Sequence, residues 1–215
     1  MFLVRNQNLS ARMELTFQTP IPFEKDSLRN MASAALGAFG QFNLRPDQVF
    51  QRIGDALFDY ELSFSLFNGQ ATFRIGAERA LVYVQNARDR RDAEVVSQCL
   101  GSAAECFQVN PVSRIALHGN CHALFESEAG SEAFFKAFAD SAQDIVDGGR
   151  IAFVQEKEWI APVRISVERS IAFKNAVFIM WSTERPGKTN LEGLRGIADD
   201  FGKASAKIGL KVEIE

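Results

Sequence analysis

Two segments in which apolar and polar residues alternate lie on either side of the dipeptide Asn68-Gly69. Alternation with a period of two is typical of a strand that buries one face, and Asn-Gly is a strong signal for a tight hairpin turn. The apolar positions are Tyr60, Leu62, Phe64 and Leu66 before the turn, and Phe73 and Ile75 after it. Strands joined by so short a turn pair antiparallel, so the sequence predicts an antiparallel sheet with one buried face.

Further strands are predicted along the whole chain from the same two signals, alternation and short apolar runs. Residues 13–18 alternate, and residues 81–84 are typical of a more fully buried strand. A long strand is predicted by the shared face of Ile115, Leu117, Cys121, Ala123 and Phe125. Shorter strands are predicted at 151–153, 163–167 and 211–215, and the continuous apolar run 176–181 predicts a central strand.

Helices are predicted wherever apolar residues recur every three or four positions. The first opens at Asp26 and carries Leu28, Met31, Ala35, Phe39 and Phe42. A short second helix is predicted to begin at Pro46 and to carry Val49, Phe50, Ile53 and Leu57. Longer helices follow the charged run 88–92, the predicted cap Ser131 with Ile145 near its end, and Asn190.

The order strand, helix, strands, helix therefore occurs twice, with offsets of about 105 and about 100 residues between matching helices. We predict an α+β fold made of two pseudo-repeats, residues 1–110 and 111–215, in one compact domain. The strands would form a curved, mainly antiparallel sheet, and the helices would pack on one face of it. Alternation within the strands leaves the other face largely open.

This order of elements resembles the tandem repeat of the TATA-box-binding protein fold, and the resemblance covers most of the chain. It implies a curved antiparallel sheet with helices on its back. The sheet positions that face DNA in that family are apolar and basic. The corresponding polar faces here mix signs, with Glu14, Thr16, Glu61, Ser63 and Glu168 beside Arg74, Arg114 and Arg164. This mixture argues against DNA as the partner.

The overall charge also argues against nucleic acid, because a net charge of −3 gives no basic excess to displace counterions from phosphates. No run of about 18 apolar residues is present, so we expect no membrane span. The apolar residues near the N-terminus follow no basic stretch, which is unlike a secretory signal. The three cysteines, Cys99, Cys106 and Cys121, have no framework spacing and are expected to be reduced and buried. We therefore predict a cytoplasmic protein.

Known cofactor motifs are absent or incomplete. Gly187-Lys188-Thr189 follows a strand and precedes a helix, as in a phosphate-binding loop, but Ser182 stands where that motif needs glycine. Pro186 also removes a backbone donor from the loop. No CxxC, HExxH, GxSxG or GxGxxG pattern occurs, so we predict no cofactor and no metal.

The two histidines, His118 and His122, share one face of the long predicted strand, opposite Cys121. Four strand residues separate them by about 13 Å, which is too far for both to bind one metal ion unless the strand bulges near Gly119. We expect both on the open face. The candidate ligand-binding residues are His118, Asn120, His122, Arg114, Arg164 and Trp159. Trp159, in a charged segment, is either an interface anchor or a residue that folds over the edge of the core.

Two functions follow from these observations. The absence of a catalytic set, together with an uncovered sheet face, favours a non-catalytic binding or assembly module that contacts a protein partner or a second copy of itself. The alternative is a small-molecule-binding protein or enzyme that acts on an acidic ligand through the face with His118 and His122.

Overall fold

The computed structural model describes residues 1–22, 24–87, 91–92, 94–95, 98–99, 101–102, 111–141, 144–146, 149–154, 161–187 and 197–213. The helices with defined bounds are α1 (Lys25–Phe39), α2 (Glu128–Ser141) and α3 (Ile197–Lys207). The first strands are β1 (Phe2–Phe17), β2 (Val49–Ile53), β3 (Tyr60–Leu66), β4 (Ala71–Gly76) and β5 (Arg79–Ala87). The others are β6 (Val112–Leu124), β7 (Asp144–Val146), β8 (Gly149–Val154), β9 (Val163–Arg169), β10 (Ala176–Pro186) and β11 (Leu210–Glu213). Within these ranges, no helix combines the length and the apolar character needed to cross a membrane.

The strands form a mainly antiparallel open sheet, so the protein is a mixed α/β protein with antiparallel pairing, as the hairpin signal predicts. From one edge to the other the order is β2-β3-β4-β5-β1-β6-β10-β9-β8-β7. β11 lies parallel to the first residues of β1 and is the exception to the antiparallel pairing. The long strands β1 and β6 pair at the centre of the sheet. β1 has β5 as its other neighbour, which is the last of the four strands β2–β5 that follow it in the chain. In the same way β6 has β10 as its other neighbour, which is the last of the four strands β7–β10.

In the core over the β2–β5 half of the sheet, a phenylalanine of α1 packs against two phenylalanines of the sheet. Phe39 of α1 is fully buried, with its ring centroid 5.1 Å from that of Phe64 and 4.3 Å from that of Phe73. Phe64 and Phe73 lie opposite each other on β3 and β4 and stack. The alternation that predicted these strands therefore also identifies their buried face.

The core over the β6–β10 half of the sheet is completed by α2 and α3. Phe134 and Phe138 of α2 are buried in the same apolar cluster as Ile165 and Ile179 of the sheet. A third contact comes from Trp181, which stacks on Phe201 of α3 with ring centroids 5.8 Å apart. All three helices thus lie against the same face of the sheet, because the strand residues they contact share that face through the register.

Two predictions are wrong near the start of the chain. The helix expected from Pro46 is a short 3₁₀ turn, Pro46–Gln48, followed by strand β2. The spacing of Val49, Phe50 and Ile53 fits a short helix, but pairing with β3 fixes an extended conformation. The first strand begins at Phe2 rather than at residue 13, because β6 and β11 supply partners for residues that do not alternate cleanly.

The helix predicted to start at Ser131 begins instead at Glu128. Ser127 precedes it and accepts a hydrogen bond from the backbone N–H of Gly130 at 3.2 Å, so Ser127 provides the cap. The same helix ends at Ser141, and Ile145 lies in strand β7 rather than in the helix. Several predictions, among them the helix start at Asn190, the Lys188 loop and Trp159, lie outside the described residues.

Candidate functional site

The side chains on the face of the sheet opposite the helices are mostly exposed or half-buried, and this face is called the open face below. It is defined around the centre of the sheet by Arg12, Glu14 and Thr16 of β1, Arg114, His118, Asn120 and His122 of β6, Ser182 and Glu184 of β10, and Arg164 and Glu168 of β9. The face is predominantly polar, so it forms the surface on which binding chemistry is available.

One row of side chains crosses four neighbouring strands of the open face. The register places Arg12 directly opposite His118, His118 opposite Ser182, and Ser182 opposite Arg164. Neighbouring strands are about 4.8 Å apart, so the backbone positions of Arg12 and Arg164 are about 14 Å apart. Of the predicted site residues, His118 and Arg164 belong to this row, whereas Arg12 and Ser182 were not predicted.

Two clusters of ion pairs border that row. Glu14 contacts Arg12 at 2.6 Å and Arg79 at 3.5 Å, between carboxylate oxygen and guanidinium nitrogen. Partial burial acts to raise the pKa of Glu14, but the hydrogen bonds and charges of Arg12 and Arg79 outweigh it and lower the pKa. The second pair joins Arg114 to Glu184 at 3.4 Å. The predicted site residue Arg114 is therefore engaged with an acidic neighbour.

His118 lies between these two clusters and is neutral at pH 7. Desolvation by the surrounding sheet lowers its pKa below the usual histidine value, and the charge of Arg12 lowers it further. Glu14 and Glu184 each raise it by less, and Arg114 makes the smallest contribution, which lowers it. A neutral imidazole offers one donor and one acceptor, so His118 contributes hydrogen bonding rather than charge to this face.

His122 lies in a separate aromatic corner of the open face. Its ring is 5.3 Å from that of Phe173 and 5.0 Å from that of Phe178, and its Nδ1 is 3.0 Å from Ser170 Oγ. Ser170 Oγ already accepts backbone N–H groups from residues 172 and 173. With both acceptor sites of the hydroxyl used, this arrangement favours donation from Ser170 to Nδ1 and a neutral ring that carries its proton on Nε2. Burial lowers the pKa of His122 as well.

The two histidines have different neighbours on the open face, and β6 does not bend to bring them together. The register between β6 and β10 runs without interruption from Arg114 to Leu124, so β6 has no bulge at Gly119. The irregularity lies in the opposite strand β1, where Asn8 has a φ of 56°. Asn120 lies between the histidines, half-buried and opposite Met180. The predicted residues that the structure describes thus share a face, with His118 in the row of charged residues and His122 in the aromatic corner.

The described residues offer no metal site and no activated thiol. No group of three or more His, Cys, Asp or Glu side chains among them is arranged to hold a metal ion. Cys99 and Cys121 are buried free thiols, and burial raises the pKa of each to about 12. Both sulfurs are therefore protonated at neutral pH, which makes them poor nucleophiles and poor metal ligands.

Acidification should destabilise the protein through these histidines. The pKa values of His118 and His122 are lower in the folded protein than in the unfolded chain, where they are about 6.5. The unfolded state therefore binds protons more readily, and stability falls as the pH drops below about 6.5. Urea unfolding midpoints between pH 7.5 and pH 5.5 should fall, and the doubly substituted His118→Gln/His122→Gln chain should show a flatter pH dependence. NMR titration midpoints above 6.5 for both rings would contradict this account.

Comparison with known proteins adds little to this geometry. No protein-family model matches the sequence, and no curated protein matches it. Among solved structures, the chain is similar to a rolling circle replication initiator protein from Geobacillus stearothermophilus, with a TM-score of 0.42 and 10% identity over 94% of this chain and 84% of that one. It is also similar to a duplicated taurocyamine kinase from Schistosoma mansoni, with a TM-score of 0.33 and 12% identity over 89% of this chain and 32% of that one. Likenesses of this size carry no functional argument.

Proposed function

We propose that the protein is a non-catalytic binding or assembly module whose contact surface is the open face of the sheet. The observation that carries this proposal is the distribution of side chains. One face is buried under the helices, whereas the other presents arginine, glutamate, histidine and hydroxyl groups across β1, β6, β10 and β9. A polar, arginine-bearing surface of this kind suits a reversible interface.

The charge pattern supports a protein partner. Arg12, Glu14 and Arg79 form one mixed cluster, and Arg114 with Glu184 forms another. A nucleic acid would be repelled by the two carboxylates and would gain little from arginines already paired with them. A protein surface that itself carries both signs can match this alternation, and such matching favours specificity and correct orientation.

Charge reversal on the open face tests the proposal. Arg74 and Arg164 are exposed there, and neither forms an ion pair with a described residue. The Arg74→Glu/Arg164→Glu chain should lose at least about tenfold in affinity for whatever partner the wild-type chain retains from native lysate. The matched control is Arg29→Glu/Lys203→Glu, which makes the same change of net charge at exposed positions on α1 and α3.

Comparison of the two variants distinguishes binding through the open face from binding through the helix side. Retention of the partner by the helix-side control, together with its loss from the open-face variant, supports the proposal. Equal loss from both variants would assign binding to overall charge. A wild-type chain that remains a monomer by light scattering and retains no partner would overturn the proposal.

The row through Arg12, His118 and Arg164 favours one alternative, a small acidic ligand. A neutral imidazole between guanidinium groups can donate to a carboxylate or phosphate without the cost of its own protonation. A thermal-shift screen with dicarboxylates and phosphates should then show stabilisation that His118→Ala removes. No shift with any of these anions would eliminate this alternative.

We also propose that the chain is organised as two related halves, residues 1–110 and 111–215, and that it resides in the cytoplasm. The first proposal is supported by the strand order, which is the same when followed outward in either direction from the central β1–β6 pair. The second is supported by the buried free thiols Cys99 and Cys121, which suit a reducing compartment.

A further inference from the structure

Strand β2 forms one edge of the sheet and is accompanied by an unusual concentration of exposed apolar side chains. Phe50 and Ile53 on the strand are 64% and 56% exposed, and Leu57 and Phe58 in the following loop are 57% and 48% exposed. The strand contains no proline and only one charged residue, Arg52. Natural sheets usually protect an edge with proline, lysine or a bulge, so an edge of this composition is typical of a pairing site.

The hydrogen-bond pattern determines which backbone groups this edge presents. Gly54 lies opposite Asp59 in the β2–β3 hairpin, and its N–H donates to the carbonyl oxygen of Asp59 at 2.6 Å. Antiparallel ladders alternate between residues that bond to the partner strand and residues that bond away from it. Counting back from Gly54, the N–H and C=O groups of Gln51 and Ile53 and the C=O group of Val49 point away from β3, toward the open edge, whereas the N–H of Val49 donates to the Pro46 carbonyl within the chain.

We propose that a second copy of this chain pairs its own β2 antiparallel with this edge, about a twofold axis at Gln51. In that register Gln51 lies opposite Gln51 of the second copy, and Val49 lies opposite Ile53. Gln51 then forms two backbone hydrogen bonds with Gln51 of the second copy, and the N–H of each Ile53 donates to the carbonyl of the opposite Val49, which gives four backbone hydrogen bonds across the axis. The interface is on the sheet edge, so it is distinct from the open face proposed above as the binding surface.

The side chains of β2 complement one another in the same register. Val49 and Ile53 of the second copy meet on the side of the sheet that carries the helices. On the other side Phe50 faces Arg52 of the second copy in the closer, non-hydrogen-bonded pair, an arrangement suited to a cation–π contact. Within each chain the guanidinium of Arg52 already contacts the carboxylate of Asp59 at 2.9 Å. Arg52 therefore loses less side-chain entropy when the two strands pair.

The neighbouring registers are less favourable, which is the argument for self-pairing in this register. A shift toward the C-terminal end of β2 would place the two Arg52 side chains directly opposite each other and leave Val49 without a partner. A shift the other way would leave Ile53 without one. Like charges directly opposite each other destabilise a strand pair. The sequence Val49–Ile53 is thus self-complementary around its central residue.

Proline at position 51 tests the pairing without disturbing the chain itself. The N–H of Gln51 points away from β3, so Gln51→Pro removes no hydrogen bond within one copy, and edge strands tolerate proline at such positions. Sedimentation or light scattering over a concentration series should show a dimer for the wild-type chain. Gln51→Pro should weaken it by about tenfold or more, since two central hydrogen bonds are lost. Circular dichroism should show an unchanged fold.

Cysteine cross-linking gives a second, positive measurement. The two Gln51 residues would have Cα atoms about 5.5 Å apart, within the range for a disulfide. Gln51→Cys should therefore form a covalent dimer under mild oxidation. The matched control Ser65→Cys, exposed on the neighbouring strand β3, should not. The wild-type chain, treated in parallel, controls for its native cysteines.

A wild-type chain that stays monomeric and a Gln51→Cys chain that does not cross-link would together overturn the pairing. So would a dimer that Gln51→Pro leaves intact, because it would use another surface. A monomer that binds only an extended peptide at β2 would assign the edge to a foreign strand and also overturn self-pairing. Arg74→Glu/Arg164→Glu should leave the β2 dimer unchanged, so failure of the open-face proposal is distinguishable from failure of this one.

Discussion

Replacing Phe39 with alanine is expected to lower the free energy of unfolding by about 3–5 kcal/mol. Phe39 is fully buried in the core between α1 and the sheet, with ring centroids of Phe64 and Phe73 within 5.1 Å. Alanine would remove most of a large side chain and leave a cavity that two stacked rings from neighbouring strands cannot readily fill. Urea unfolding followed by circular dichroism measures the change.

The matched control for Phe39→Ala is Phe58→Ala, which removes the same atoms from a loop residue that is 48% exposed. Phe58→Ala should lower the free energy of unfolding by no more than about 1 kcal/mol, because the ring is only partly buried and its removal leaves no enclosed cavity. Equal losses for the two variants would show that Phe39 is not the centre of this core.

Trp181→Ala is the second substitution with a large expected effect, a loss of about 3–5 kcal/mol in the free energy of unfolding. Trp181 joins the sheet to α3 in two ways. Its ring stacks on Phe201, and its Nε1 donates a hydrogen bond to Ser205 Oγ at 2.9 Å. The site is closely packed, because a methyl group at Gly119 would lie 3.1 Å from the ring of Phe201.

Trp181→Phe separates stacking from hydrogen bonding. It keeps an aromatic ring against Phe201 and removes the Nε1 donor, while Ser205 Oγ still donates to the Phe201 carbonyl. We expect a loss of about 1–2 kcal/mol from this variant, from the missing hydrogen bond and the smaller ring. Hydrogen exchange should accelerate in α3 for the alanine variant and much less for the phenylalanine variant. Unchanged exchange in α3 for Trp181→Ala would refute its role in holding this helix.

Sequence patterns predicted the parts of the fold that depend on local periodicity. The β3–β4 hairpin follows from alternation on either side of Asn68-Gly69, the buried face of β6 follows from alternation, and both are confirmed. The segment after Pro46 is predicted wrongly because Val49, Phe50 and Ile53 are spaced as a helix would require. Only pairing with β3, which no local pattern encodes, makes this segment a strand.

The candidate site shows the same division between local and long-range information. Alternation along β6 and along β9 is enough to predict that His118 and Arg164 lie on the open face. The neighbours of His118 depend on the pairing of β6 with β1, whose residues are about 100 positions earlier in the chain. Arg12 and Glu14 were therefore not predicted as site residues, although Glu14 was expected on the polar face. The alternation of residues 13–18 is the local signal for Glu14, and Arg12 lies outside that segment.

The position of β1 has a consequence for how the chain acquires its structure during synthesis. β1 pairs with β5, β6 and β11, and its residue Phe2 lies beside Leu210. β1 therefore cannot complete its ladder until Leu210, about 200 positions further along the chain, has been synthesised. Contacts of such long sequence separation slow folding, so β1 waits long for one of its partners.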